Sequence, residues 1–326
     1  MRIKDRIGFS IYRGTFAKPA SLAALLALRL RAVHGINIWR ATALVVENLR
    51  PTTDQLHAIW NRLPTHFEKP FFLLHQMKTG GTSIRVGVGM AIELHDLTLR
   101  MLINRYGSVE NIPINGFREY EFWPFLSGHA HVDAFPESHR GASVFREPRS
   151  RYLSHYRQIQ RLGEFEPFTE KSNSDSKRIL RNIPIQLHAQ KFRSRDCVWQ
   201  FTAGHQVDHQ AFLANASESE ITASLTKGLE RLSFAGWTHQ IDDLYDQLET
   251  FLSVKMRRER KNEYETNIDE KYSLTYDDLE YLNDLIRRER HLQDLASKNG
   301  LLPELSASES DSLFEMTAKR LNFVLP

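Results

Sequence analysis

The chain holds a single cysteine, Cys197, in 326 residues. That excludes an intrachain disulfide framework and any zinc cluster built on several cysteines. It also fits a reducing compartment. Glycine (16) and proline (12) are too scarce for a collagenous or low-complexity chain. An excess of one charge is missing as well: 43 Lys+Arg stand against 40 Asp+Glu, a formal net charge of +3. Such a balance gives no global basic field, so no nucleic-acid partner is expected and any anion site must come from local clustering. Long apolar runs are also absent. The best is residues 20–30 (ASLAALLALRL), eleven residues that include Arg29 and are followed by Arg31. That is too short to span a bilayer and reads as a surface or partner-docking helix. Arg2, Lys4, Arg6, Arg13 and Lys18 precede it, but a secretory leader of that length, with no small-x-small site after it, is disfavoured. With no stable membrane span and no evident anchor, the expected location is cytoplasmic. What remains, 41% hydrophobic and 25% charged residues, is the composition of a folded domain.

The pattern along the chain divides it into a helical N-terminal extension (1–66), a main domain (67–300) and a C-terminal tail (301–326). The extension holds two helical stretches, about 20–33 and 53–63, the second capped by Thr52 or Thr53, and shows no chemistry. The main domain opens with Pro70-Phe71-Phe72-Leu73-Leu74, an apolar run of buried-strand length. A turn with two glycines follows, then apolar residues from Ile84 to Leu94 that suit a helix. Two further strands are expected, at 122–126 before Ser127-Gly128-His129 and at 142–145 before Arg146-Glu147-Pro148. Pro148 then opens a helix over about 149–162. Residues 163–200 read as a polar surface loop with a short helix. Ile241, Leu244, Leu248 and Phe251 repeat at helical spacing, and Thr275-Tyr276-Asp277-Asp278 resembles a capping box at the start of another helix. The tail, with its SASESDS stretch, reads as loosely ordered before a candidate terminal helix. Strands alternating with helices predict an α/β, P-loop-like three-layer fold, its central mostly parallel sheet flanked by helices. The strand ends that carry polar motifs would then share one crevice.

The first such motif is Lys78-Thr79-Gly80-Gly81-Thr82-Ser83. Backbone N–H groups in a glycine turn, backed by a helix N-terminus, form an anion site. Gly80 and Gly81 allow close backbone approach, Thr82 and Ser83 add hydroxyls, and Lys78 adds a compact positive charge. In a nucleotide-triphosphatase loop the lysine follows the glycines; here it precedes them. The second motif runs from Arg146 to Ser154. A basic run alone is most simply a solvated helix face, but a strand end followed by Arg, an acid, Pro and a helix bearing Ser can hold a second phosphate.

On these residues the sequence resembles the sulfotransferases that use 3′-phosphoadenosine 5′-phosphosulfate (PAPS). His75-Gln76-Met77-Lys78-Thr79-Gly80-Gly81-Thr82-Ser83 is similar to the family's 5′-phosphosulfate loop. Arg146-Glu147-Pro148-x-x-Arg151-x-x-Ser154-x-Tyr156 is similar to its 3′-phosphate motif, commonly written RDPxxRxxSxY. Phe234-Ala235-Gly236-Trp237-Thr238 resembles a later family segment. The two phosphate motifs stand in family order, 68 residues apart. The carbohydrate branch, with the heparan sulfate and uronyl 2-O-sulfotransferases, is the nearest. There the loop usually reads PKTGGTS, and a Gly-His pair lies between the phosphate motifs. Met77 stands where that branch usually has Pro, which bears on loop stiffness and cofactor affinity, and Glu147 where it usually has Asp. The resemblance implies PAPS as sulfuryl donor, no metal, and a hydroxyl acceptor, a glycan by analogy. It assigns Lys78, Thr79, Gly80, Gly81, Thr82, Ser83, Arg146 and Ser154 to donor binding.

A hydroxyl that attacks sulfur must lose a proton, and His is the usual base near neutral pH. Ser127-Gly128-His129-Ala130-His131 supplies two. The Gly-His resemblance favours His129, with His131 as runner-up or substrate-orienting residue. Lys78 would also be catalytic, stabilising charge on the leaving 5′-phosphate oxygen. The basic run from Lys255 to Lys261 reads as a solvated helix end or as a contact for an anionic partner. Two alternatives stay open: a P-loop kinase using ATP, and a non-catalytic nucleotide-binding protein on the same fold.

Overall fold

The computed structural model describes residues 69–91, 97–98, 124–162, 197–256 and 271–326, with Phe117, Glu121, Ile185 and Arg258 besides. The N-terminal extension with its two expected helices, and most of the 163–200 loop, lie outside the described residues. In chain order the elements are β1 (Phe71–Leu74), α1 (Gly81–Ala91), β2 (Leu97–Thr98), β3 (Phe125–Gly128), β4 (Arg140–Phe145), α2 (Pro148–Leu162), α3 (His209–Asn215), α4 (Glu218–Leu229), β5 (Leu232–Trp237), α5 (Ile241–Leu252), β6 (Tyr272–Ser273), α6 (Tyr276–Leu285), α7 (Arg287–Lys298), α8 (Ala307–Arg320) and β7 (Phe323–Val324). Short 3₁₀ turns lie at Val132–Ala134, Val198–Phe201 and Thr238–Gln240.

The chain is an α/β protein with a five-stranded sheet in the order β2-β3-β1-β4-β5. Every pairing is parallel. β1 sits in the middle, Phe71 opposite Phe125 on one side and Arg140 on the other. Its four residues are all fully buried. Alternate side chains of a strand face opposite ways, so a strand covered on both faces must be apolar throughout. Phe71 and Leu73 join Ile84, Val88, Leu244 and Leu248, under α1 and α5. Phe72 and Leu74 join Leu225, Leu229, Leu292 and Phe201 on the opposite face. α5 lies close on β5 because residue 236 is glycine: a Cβ there would stand 2.8 Å from the Cβ of Leu244.

β3 runs from Phe125 to Gly128; residues 122–123 of its expected run lie outside the described residues. Pro124 has no N–H to give a ladder, although its carbonyl accepts the Phe71 amide at 2.9 Å. The strand therefore runs on through Ser127 and Gly128, and the polar motif is part of the sheet. The capping box at Thr275 forms, with Asp278 closing it.

The tail differs from its reading. SASESDS is not loosely ordered: Ser306 and Glu309 form a capping box, and α8 runs on to Arg320. Serine and glutamate at a helix start look like loop composition, yet they are what a first turn needs. Phe314, Ala318 and Leu321 then pack with Tyr152, Leu153 and Tyr156 of α2. Arg149 secures the contact, bonding Asp311 at 2.8 Å with its guanidinium over the Phe314 ring. Among the described residues no helix is long and apolar enough to cross a membrane.

Candidate functional site

A parallel sheet brings all its C-terminal strand ends to one edge. Strand order reverses around β1: the chain goes to β2 and β3 on one side, then to β4 and β5 on the other. Such a switch point opens a crevice between the loops that leave in opposite directions. The loops after β1 and β4 meet there.

From β1 the chain turns through residues 75–80 into α1. Lys78 adopts φ +63°, a left-handed conformation unusual for a side-chain-bearing residue, and Gly80 adopts φ +89°. The Ser83 amide bonds the Gly80 carbonyl at 2.9 Å. Beneath the turn, the Thr79 hydroxyl donates to the Gln76 carbonyl at 3.0 Å, Gln76 donates to Ser143 at 3.0 Å, and Ser143 donates to the Leu74 carbonyl at 2.8 Å. The Thr79 side chain thus serves the turn itself. Lys78, Gly80 and Thr82 are partly exposed at its rim, while Gly81 and Ser83 are buried. The first N–H groups of α1 follow directly, and its first turn carries no acid. This is an electropositive helix start.

Gly81 has a further constraint. A Cβ there would lie 2.4 Å from Cδ2 of His75, whose ring fills the space under the helix start. Gly81→Ala is expected to lower stability by about 1–3 kcal/mol, the usual range for overpacking. Chemical denaturation of the two proteins measures this, and an unchanged midpoint would show that His75 moves aside freely.

β3 delivers the histidines. The His75 amide bonds the Gly128 carbonyl at 2.9 Å, fixing the two strand ends side by side. The His75 and His129 rings stack at 4.3 Å with 25° between planes. Burial, aided by the neighbouring His129 and Arg85, holds His75 well below the ordinary histidine pKa. His129 is partly exposed as a residue, although its Nδ1 is buried.

His131 is built in differently. Its Nδ1 accepts the Asp133 amide at 3.2 Å, so Nε2 carries the proton and donates to the Thr202 carbonyl at 2.9 Å. Both nitrogens serve the fold, and the residue is buried. Burial pushes its pKa down to about 4, against an opposing pull from Asp133. The unfolded chain takes up this proton near pH 6.5 and the folded chain only near 4. Between those values acid favours unfolding, by up to about 3 kcal/mol at the lower end. The melting temperature should therefore fall as pH drops from 6.5 to 4.5, and His131→Gln, though less stable at pH 7, should fall less. Parallel slopes for the two proteins would contradict this.

β4 ends at Arg146. Its Nη1 donates to the Lys78 carbonyl at 3.1 Å and its Nη2 to the Thr317 hydroxyl at 3.4 Å, while Gln293 donates to its own carbonyl at 2.8 Å. Burial, with Arg320 and Arg151 nearby, lowers its pKa to about 10 despite Glu147. It stays charged at neutral pH, as a cation that a bound anion would stabilise. Glu147 is turned away as the cap of α2, accepting the Arg149 amide at 3.2 Å and the Ser150 amide at 2.6 Å. Within the motif, Arg151 is structural, holding Glu289 of α7 through two bonds of 2.5 and 2.6 Å. Ser154, partly buried, stands one turn beyond Arg151 on α2. β5 supplies Thr238, whose Oγ1 lies 2.5 Å from the Thr79 carbonyl and 2.9 Å from that of Phe145.

The structure thus joins the Lys78 turn to Arg146 and sets His129 beside His75. It adds Thr238, Gln293 and Thr317, which the motif reading missed. Thr238 stood in a quoted segment, but nothing local marked its hydroxyl; Gln293 and Thr317 come from distant helices with no motif of their own. The basic run is answered in part: Lys255 bonds Glu249 at 2.8 Å, and Arg258 pairs with Asp246 of α5. Those two charges serve the end of α5. Among the described residues no cluster of three or more His, Cys, Asp or Glu is placed to hold a metal. No protein-family model matches the chain, and no curated protein matches it significantly. Its chemistry is read from the site.

Proposed function

We propose that the protein is a sulfotransferase on a P-loop-like fold, moving a sulfuryl group from PAPS to a hydroxyl acceptor of carbohydrate class. One observation carries the reading: two anion motifs far apart in sequence meet at one strand-end edge, with Arg146 bonded to the Lys78 carbonyl at 3.1 Å. The donor has negative groups at both ends of one adenosine, so a site for it needs two cationic centres at neighbouring strand ends. The residues present suit it. The turn offers a helix start, Lys78 and two positions at positive φ, and the β4 end offers a partly buried guanidinium.

Lys78 and the first amides of α1 would hold the 5′ end, and Arg146 with Ser154 the 3′-phosphate. The donor supplies an electrophilic sulfur. Catalysis is then mostly positioning and charge stabilisation, as in phosphoryl transfer. His129 takes the proton from the acceptor hydroxyl. His75, kept neutral beside it, does not compete for that proton. Lys78 offsets the charge that grows on the departing 5′-phosphate oxygen.

Thermal stabilisation by nucleotides tests the reading. Adenosine 3′,5′-bisphosphate should raise the melting temperature more than ATP at equal concentration, by an amount equivalent to about 2.7 kcal/mol at a hundredfold excess over its Kd. A larger effect of ATP would point to the kinase alternative. Stabilisation by the bisphosphate with no sulfation across glycans, lipids and phenols would point to a non-catalytic binder.

A further inference from the structure

The Lys78 turn holds a strained shape. A lysine at φ +63° costs free energy that its surroundings must offset. Two consecutive carbonyls of the turn, those of Lys78 and Thr79, are each met by a donor from a different strand end. Arg146, after β4, meets the first at 3.1 Å. Thr238, after β5, meets the second at 2.5 Å. Both donors are anchored: Arg146 through Thr317 and Gln293, and Thr238 by its place directly after β5 with the Phe145 carbonyl 2.9 Å away.

We propose that Thr238 is a positioning residue for the anion-binding turn, and that Arg146 shares this role besides any contact it makes with a 3′-phosphate. The two pin the turn in its anion-binding shape, so affinity for the 5′ end of a nucleotide depends on both. The binding half of this rests on the reading of the turn as a nucleotide 5′ site; the pinning half rests on the hydrogen bonds alone.

The probe is adenosine 5′-monophosphate, which has no 3′-phosphate for Arg146 to touch. Thr238→Val removes the hydroxyl at nearly constant shape, and should weaken monophosphate binding about tenfold, the size of one net hydrogen bond. Thr238→Ser keeps the hydroxyl and should bind within about twofold of wild type. Arg146→Ala should also lose about tenfold or more, whereas an arginine that read only a 3′-phosphate would leave this ligand unaffected. Hydrogen exchange of the full chain without ligand gives an independent readout: amides of residues 78–84 should exchange faster in Thr238→Val and Arg146→Ala, and at the wild-type rate in Thr238→Ser. Wild-type affinity and exchange in Thr238→Val and Arg146→Ala would overturn the proposal. If wild type binds neither the monophosphate nor adenosine 3′,5′-bisphosphate, the nucleotide reading and the claim about affinity fall together, and the exchange rates still decide whether Thr238 and Arg146 pin the turn.

Discussion

If the protein is the sulfotransferase proposed above, replacing Lys78 with alanine should lower sulfation turnover by about 10²–10³-fold, the usual loss for one preorganised charge-stabilising donor. The ammonium is a compact charge on a residue whose backbone is itself part of the turn. Alanine tolerates φ +63° no better than lysine does, so the fold should change little while the charge at the leaving oxygen disappears. The loss belongs in turnover more than in KM, since the charge it offsets grows as the bond breaks. His129→Ala should lose a comparable 10²–10⁴-fold through the missing base. Initial rates with labelled donor and an accepted glycan measure both. If both variants keep wild-type turnover, the proposed roles are wrong.

Glu289→Ala should destabilise the protein by about 3–5 kcal/mol, because it leaves the Arg151 guanidinium buried without its carboxylate. Glu289 and Arg151 are almost fully enclosed, and their two bonds join α2 to α7. Arg151→Met combined with Glu289→Leu should recover most of the loss, since replacing a buried pair by packed apolar groups is often neutral. Urea denaturation of wild type and the two variants measures this. If the double variant proved as unstable as Glu289→Ala, the loss would come from packing. The result also separates two roles within one motif: Arg151 holds the helix that carries Ser154, while Arg146 faces the turn.

Local patterns disclosed much of the architecture. The FFLL run of β1 was legible because a strand buried on both faces has no polar side. The Pro148 start of α2, the stripe of α5 and the Thr275 cap follow the same short-range rules. The glycine turn could be placed at a strand–helix junction, but the reason for Gly81 could not, since it is the His75 ring packed from six residues away. His129 and His131 look alike in sequence. They separate only when the Thr202 carbonyl arrives to occupy His131. The tail misled because capping residues and loop residues share a composition. α8 proved to pack on α2 and to bring Thr317 against Arg146. Contacts of that kind, across 171 positions, leave no trace in a local window.

The most direct measurement is a crystal structure of the protein with adenosine 3′,5′-bisphosphate. One molecule should lie across the β1 and β4 ends, its 5′-phosphate on the turn of residues 78–83 and its 3′-phosphate at Arg146 and Ser154. A nucleotide bound elsewhere, or touching only one of these two centres, would contradict the account.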